Sequence, residues 1–121
     1  VLDLPIVIKQ NAIFDHLYID DLTTIVEWVI LSEPNNKVYN VCSGETYDYK
    51  TLAKKVVDIS SKNLDITIEK KSIRHEYSGD NSRLRLELPE LAFTKIDNAI
   101  TTLYNWHNEN KHIIDKEKFV Y

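Results

Sequence analysis

The sequence contains few of the residues on which several common classes of site depend. It has two glycines, Gly44 and Gly79, far apart in the chain. A glycine-rich dinucleotide-binding turn or a phosphate loop needs at least two closely spaced glycines, so both are excluded. The single cysteine, Cys42, excludes an intrachain disulfide and a zinc site with several thiolates, and it favours a reducing, cytoplasmic setting. Cys42 lies in an apolar run without a basic neighbour, which predicts a buried, unreactive thiol.

Methionine and long apolar stretches are also missing. No run of about 18 apolar residues occurs, so no membrane-spanning helix is predicted. The opening Val-Leu-Asp-Leu-Pro has neither the basic segment nor the apolar core of a signal peptide. Removal of an initiator methionine would explain the start at Val1, whereas an internal fragment of a longer protein explains both the start and the lack of methionine.

The charge balance is acidic, with 15 Lys and Arg against 19 Asp and Glu and a net charge of −4. Non-specific nucleic-acid binding requires a basic surface that displaces counterions, so no nucleic-acid partner is predicted. Short basic groups, such as Lys54 with Lys55 and Lys70 with Lys71, are interpreted as solvated faces. The four histidines show no metal-ligand spacing. A length of 121 residues with 43% hydrophobic composition indicates one globular domain, 1–121, or part of a larger one.

Residues 13–30 change from a strand pattern to a helix pattern. Large side chains alternate over 13–19, which predicts a strand covered on both faces. Apolar residues then recur at i, i+3, i+4, i+7 and i+8 from Leu22 to Ile30, which predicts a helix over 21–32. Asp20 and Asp21 stand at the change and are interpreted as its cap, in preference to an acid/base pair or a metal site. A preceding strand over 6–9 is predicted to form a hairpin with 13–19.

The rest of the chain continues the alternation of strands and helices. A run over 38–42 predicts a parallel strand buried on both faces, and a second strand is predicted at Ile66–Lys70. Helices are predicted from Thr46 or Asp48 to about residue 62, over 81–88, and from Thr94 as cap to about residue 110. The tail 111–121 remains unassigned. This order predicts an α/β fold in which a small mixed β-sheet is layered with helices.

Three polar residues are the candidate site residues. Asp15 and His16 interrupt an apolar strand, where a polar group needs a partner or faces a cleft. For Asp15, a structural hydrogen bond and a role in supporting a site are equally favoured. His16 is the weaker candidate for a site residue. Arg74 lies in a polar loop where a guanidinium could hold a phosphate, although a plain surface arginine is the favoured interpretation. These residues do not make a complete active site.

Four segments, taken in order, carry a resemblance to a known family. They are 14–21 (Phe-Asp-His-Leu-Tyr-Ile-Asp-Asp), 38–45 (Val-Tyr-Asn-Val-Cys-Ser-Gly-Glu), 79–84 (Gly-Asp-Asn-Ser-Arg-Leu) and 100–106 (Ile-Thr-Thr-Leu-Tyr-Asn-Trp). The segments resemble R-D-F-I-Y-V-D-D, Y-N-V-G-S-G-E, D-x-S-K and G-I-x-x-T-x-x-W of the extended short-chain dehydrogenase/reductases, the NAD-dependent nucleotide-sugar epimerase/dehydratase family. Phe14 stands where that family has an arginine, and Cys42 stands where it has a glycine.

The resemblance spans nearly the whole chain but only the C-terminal part of such an enzyme. It implies that 1–121 is a substrate-binding region, that NAD(P) is bound by an N-terminal Rossmann domain outside this chain, and that 38–42 joins the sheet of that domain. No Tyr-x-x-x-Lys pair is present, so the chain alone is expected to be catalytically silent and to hold no cofactor. Asp15, His16 and Arg74 are the implied contacts to a nucleotide-sugar. Self-association is expected through the surface that faces the Rossmann domain.

Two alternatives stay open. One is a stand-alone, non-enzymatic α/β module that binds a partner protein or small ligand, with 38–42 covered by the chain's own helices. The other is a regulatory relative that keeps the fold without the chemistry.

Overall fold

The computed structural model describes residues 1–115 and 118. In these residues, two strands come first, helices and strands then alternate, and two consecutive α-helices precede a short 3-10 helix at Lys111–Ile113. The elements are β1 (Ile6–Gln10), β2 (Ile13–Asp15), α1 (Ile19–Leu31), β3 (Thr46–Asp48), α2 (Tyr49–Ser60), β4 (Ile66–Lys70), α3 (Ser82–Glu87) and α4 (Ile96–Glu109). Residues 116, 117 and 119–121 of the unassigned tail lie outside the described part. None of the described helices has both the length and the apolar run needed to cross a bilayer.

The strands form two separate two-stranded sheets. β1 runs parallel to β4 with Ile6 opposite Ile66, and β2 runs antiparallel to β3 with Ile13 opposite Asp48. The α/β fold class with parallel and antiparallel strands is therefore confirmed. The predicted hairpin between β1 and β2 is wrong. A tight hairpin turn needs positive φ, which among the described residues occurs only at Ser61 and Gly44, so β1 and β2 pair with different strands.

Two of the three longer helices begin differently from the prediction. α1 begins at Ile19 after Tyr18, whose side chain makes no capping hydrogen bond. Asp20 and Asp21 therefore lie in the first turn, where a carboxylate is favoured by the helix dipole, and their prediction as caps is wrong. α4 begins after Lys95 rather than at a Thr94 cap. In contrast, Asp48 caps α2 as predicted, because its Oδ1 accepts from the Thr51 amide at 3.0 Å.

The buried core is small and is made mostly of short side chains. Its apolar members are Ile8, Ala12, Ile25, Cys42, Ala53, Leu84 and Ala99. α2 packs against α4, and Lys55 Nζ bridges the two helices to Asp97 Oδ1 at 2.6 Å. The modest core places much of the stability on the hydrogen bonds that tie the loops together.

The segment 38–42 is not a strand within this chain, and its predicted burial on both faces is wrong. Val38 is 69% exposed, and only Cys42 is buried. A strand needs a neighbour to satisfy its backbone groups, and no described residue supplies one along this segment. Instead, the turn before it is held by Glu87, whose carboxylate accepts from the Tyr39 hydroxyl at 2.6 Å and from the Asn36 side chain at 2.7 Å. These hydrogen bonds, Tyr39 first, lower the pKa of Glu87.

α1 also exposes apolar residues, among them Val26 and Ile30, which the helix pattern predicted to be buried. Ile25 is buried, but Ile19, Val26 and Ile30 are 58%, 47% and 73% exposed. These three residues fall at i, i+7 and i+11 and form a second line, called here the α1 apolar stripe. A helix with apolar residues on two faces is typically packed against other parts of a protein on both of them.

Candidate functional site

A cleft of about 600 Å³ opens where the β2–α1 joint meets the start of α4. It is called here the central cleft. Its lining comes from the joint, the loop before β3, α3, the segment before α4, and α4 itself: His16, Leu17, Tyr18, Ser43, Gly44, Glu45, Tyr47, Asn81, Arg85, Ala92, Phe93, Thr94, Lys95, Ile96, Ala99, Ile100 and Leu103. Its volume lies within the range of small-molecule sites, about 300–1,000 Å³.

Asp15 fixes one edge of the central cleft. Its Oδ1 accepts from the Ser43 amide and the Ser43 hydroxyl, both at 2.7 Å, and its Oδ2 accepts from the Gly44 amide at 2.8 Å. A carboxylate that accepts several such hydrogen bonds is held firmly in one orientation. The Asp15 side chain therefore positions the loop that lines the cleft, and among the described residues its contacts are with this loop.

The same loop depends on a backbone conformation that favours glycine. Gly44 has φ +86°, and a Cβ at this position would lie 3.4 Å from Asn81 Nδ2. Asn81 Nδ2 in turn donates to the Cys42 carbonyl at 2.8 Å, so the start of α3 is tied to the loop. Burial, together with the neighbouring Asp15 carboxylate, raises the pKa of the Cys42 thiol. Since a raised pKa disfavours the thiolate, Cys42 has the character of a structural thiol.

His16 carries the one buried side-chain atom without a hydrogen-bond partner in the described residues, its Nε2. The imidazole ring packs near the rings of Phe14 and Tyr49, with centroids 6.3 and 6.2 Å away. An unpartnered buried nitrogen costs about 1–3 kcal/mol. His16 also lines the central cleft, so the residue with this unpartnered nitrogen lies next to a space that a ligand or a neighbouring domain could occupy.

Arg85 is a cleft residue that the sequence analysis did not propose. Its guanidinium lies over the Phe93 ring at 4.5 Å from the centroid, and Nη1 donates to the Leu91 carbonyl at 2.7 Å. These contacts hold a positive charge beside an aromatic face on the wall of the cleft. This role could not be predicted from the sequence, because Arg85 in a short helix has the pattern of an ordinary surface residue.

Arg74 lies away from the central cleft lining. It belongs to an exposed segment that runs beside β2: the Arg74 amide donates to the Asn11 carbonyl at 3.0 Å, and the Tyr77 amide donates to the Ile13 carbonyl at 3.0 Å. The structure therefore places His16 in the cleft and Asp15 behind its edge. Arg74 stands on the neighbouring segment, with its side chain exposed.

The opposite edge of the cleft is held by Asp21. This carboxylate is 8% exposed and accepts from the Thr94 amide at 2.9 Å and from the Thr94 hydroxyl at 2.7 Å. The contact joins the first turn of α1 to the segment that leads into α4. Two carboxylates from one short stretch of sequence, Asp15 and Asp21, thus fix two walls of the same cleft.

Comparison with known proteins supports an epimerase-like fold. The structure is similar to the crystal structure of a "putative epimerase" from Burkholderia cenocepacia J2315, with a TM-score of 0.69 and 25% sequence identity. The similarity covers 80% of this chain and 34% of the Burkholderia chain, so this chain spans about a third of the length of that protein. Neither a protein-family model nor a curated protein matches the sequence.

Proposed function

We propose that residues 1–121 form the nucleotide-sugar-binding region of a cytoplasmic, NAD(P)-dependent epimerase, dehydratase or reductase, and that the chain alone is catalytically silent. NAD(P) would be bound by a Rossmann domain of the parent enzyme outside these residues. The observation that carries the proposal is the similarity to about a third of a longer, epimerase-like structure. The four sequence segments that resemble the extended short-chain dehydrogenase/reductases support the same assignment independently.

The central cleft supplies suitable groups for such a ligand. In the proposal, the loop held by Asp15 forms the wall of the cleft against which the sugar packs, and His16 Nε2 gains its missing partner from the ligand or from the Rossmann domain. Arg74 lies outside the cleft lining, on the exposed segment beside β2, and in the proposal it provides a cation for a diphosphate that extends beyond the cleft. These groups bind and orient, and they exclude water once the parent enzyme closes around the substrate.

The experiment that tests this function is a titration of the chain with UDP-glucose, followed by amide chemical shifts. We expect saturable shifts at Ser43, Gly44 and the residues before α4. Arg74→Gln should weaken binding by about tenfold, the value of one charge-assisted contact. Arg83→Gln, which removes the same charge from another exposed position, should leave the affinity unchanged. Titration with NADH should give no saturable shift.

Two results would argue against the proposal. Binding of NADH in the micromolar range would overturn the domain assignment. An absence of cleft shifts with UDP-glucose and related nucleotide-sugars at millimolar concentration would favour the stand-alone binding module instead.

The proposal also accounts for the α1 apolar stripe, which would be covered by the parent enzyme. In the isolated chain we expect the stripe to drive self-association, because exposed apolar patches of this kind mark contact surfaces. Ile30→Asp should shift the population towards monomer in light scattering. Thr24→Asp, which adds the same charge at another exposed α1 position, should not. A wild-type chain that stays monomeric at high concentration would count against this prediction.

A further inference from the structure

A second concave surface, called here the lysine groove, lies between the start of α2 and the end of β4. Its volume is about 440 Å³, and it shares no lining residue with the central cleft. The lining residues are Asn11, Asp48, Lys50, Thr51, Lys54, Ile68, Lys70, Lys71 and Ile73. Four of the nine are lysines, in a chain whose net charge is −4.

Secondary structure brings these lysines together from two places in the sequence, the start of α2 and the end of β4. Lys50 and Lys54 are one helical turn apart on α2 and therefore lie on the same face. Lys70 shares a face of β4 with Ile68, whereas the intervening Glu69 points to the other face. Lys55, adjacent to Lys54, turns away to Asp97. The Lys54–Lys55 pair is thus divided, whereas Lys70 and Lys71 both line the groove.

Within the described part of the chain, the positive charge of the groove is balanced only in part, by the single carboxylate of Asp48. None of its four lysines forms an ion pair there. The one acidic residue in the lining, Asp48, uses its carboxylate for the Thr51 amide and hydroxyl and for the Asn11 side chain. Burial raises the pKa of Asp48, but hydrogen bonds from Thr51, Asn11 and the Lys50 backbone outweigh this and lower it overall.

The first amides of α2 are also already engaged. Tyr49 N donates to the Ala12 carbonyl at 3.2 Å, Lys50 N donates to Asn11 Oδ1 at 3.1 Å, and Thr51 N donates to Asp48. A ligand in the groove would therefore be held by ammonium groups and not by the helix end. Several uncompensated like charges in one concavity repel each other, and an anion placed among them removes that repulsion.

We propose that the lysine groove binds a small anion that carries two or more neighbouring phosphates. Lysine binds phosphate as a point charge, and an anion with two or more phosphates can contact ammonium groups from both α2 and the end of β4 at once. The volume suits a small molecule. An extended nucleic acid would run beyond the groove onto an acidic protein, which favours a small anion as the occupant. This site is independent of the proposed nucleotide-sugar function.

The probe for this site is inorganic pyrophosphate, titrated at fixed ionic strength and followed by amide shifts. We expect a saturable response at 50–54 and 70–73, with sulfate binding at least about tenfold more weakly because it offers one anionic centre. Adenosine diphosphate, tested in parallel, identifies the source of the phosphates. Tighter binding than pyrophosphate indicates a nucleotide, and equal binding indicates free polyphosphate.

Two variants distinguish specific binding in the groove from non-specific electrostatic attraction. Lys54→Gln/Lys71→Gln should weaken pyrophosphate binding at least about tenfold, while the UDP-glucose response at Ser43 and Gly44 is retained. Lys37→Gln/Arg83→Gln removes the same charge from exposed positions outside the groove and should leave pyrophosphate binding unchanged. All four positions are exposed, so both variants should keep the far-ultraviolet circular dichroism of the wild type. Equal effects of the two variants, or an unsaturable response that sulfate reproduces, would overturn the proposal.

Discussion

Replacement of Asp21 by alanine is expected to lower the free energy of unfolding by about 2–4 kcal/mol. The Asp21 carboxylate is buried and accepts from both the amide and the hydroxyl of Thr94. Alanine removes both acceptors and leaves these donors without partners inside the fold. Since stabilities of small domains are about 5–15 kcal/mol, this loss would take a large share of the total. Urea denaturation with linear extrapolation measures it.

Related variants identify the contact that is responsible. Thr94→Val removes the hydroxyl but keeps the amide and nearly the same shape, so its cost should be smaller than that of Asp21→Ala. In a double-mutant cycle the two changes should be non-additive, as for any pair in direct contact. Asp20→Asn, at the exposed neighbouring position, should stay within about 0.5 kcal/mol of the wild type. If Asp21→Ala lowered the stability as little as Asp20→Asn, the Thr94 contact would not hold this wall of the cleft.

Replacement of Asp15 by alanine is expected to loosen the edge of the central cleft and to cost about 1.5–3 kcal/mol of stability. The three donors that Asp15 accepts from belong to Ser43 and Gly44, at 2.7–2.8 Å. Without the carboxylate, the amides of Ser43 and Gly44 should lose protection from hydrogen exchange. UDP-glucose binding should weaken at least about tenfold, because the loop is no longer held in its binding conformation.

Graded variants test the Asp15 interpretation. Ser43→Ala removes the hydroxyl donor and keeps both amide contacts, so it should cost less than Asp15→Ala. Asp15→Asn keeps an acceptor for Ser43 but turns an amide donor towards the Gly44 amide, so its effect should fall between the two. Unchanged exchange at Ser43 and Gly44 in Asp15→Ala would show that the loop is held by other contacts.

The parts of the fold that could be predicted from the sequence depend on local interactions. β4 at Ile66–Lys70 and the Asp48 cap of α2 follow from alternation and from a side chain that reaches three residues along the chain. The α/β class follows from the order of such elements. The pairing of β1 with β4 and the missing strand at 38–42 could not be predicted, because strand pairing depends on residues distant in sequence.

The same distinction applies to the candidate site. Asp15 was identifiable as a polar residue in an apolar strand, although the loop that it holds lies 28 residues later. The pattern at Asp20 and Asp21 pointed to a cap, since it contains no information about Thr94. Arg85 gave no signal, because its contacts to Phe93 and Leu91 depend on how the chain turns after α3.

The parallel pairing of β1 with β4 also has a consequence for the synthesis of the protein. Ile6 lies opposite Ile66 and Gln10 opposite Lys70, so β1 leaves the ribosome well before its partner has been translated. Until then its backbone edge is open and can pair with strands of other nascent chains. Closing the long intervening loop is slow in comparison with forming α1 or α2. A chain that terminates before β4 would therefore be expected to aggregate, whereas one that extends through Lys70 can cover this edge of β1.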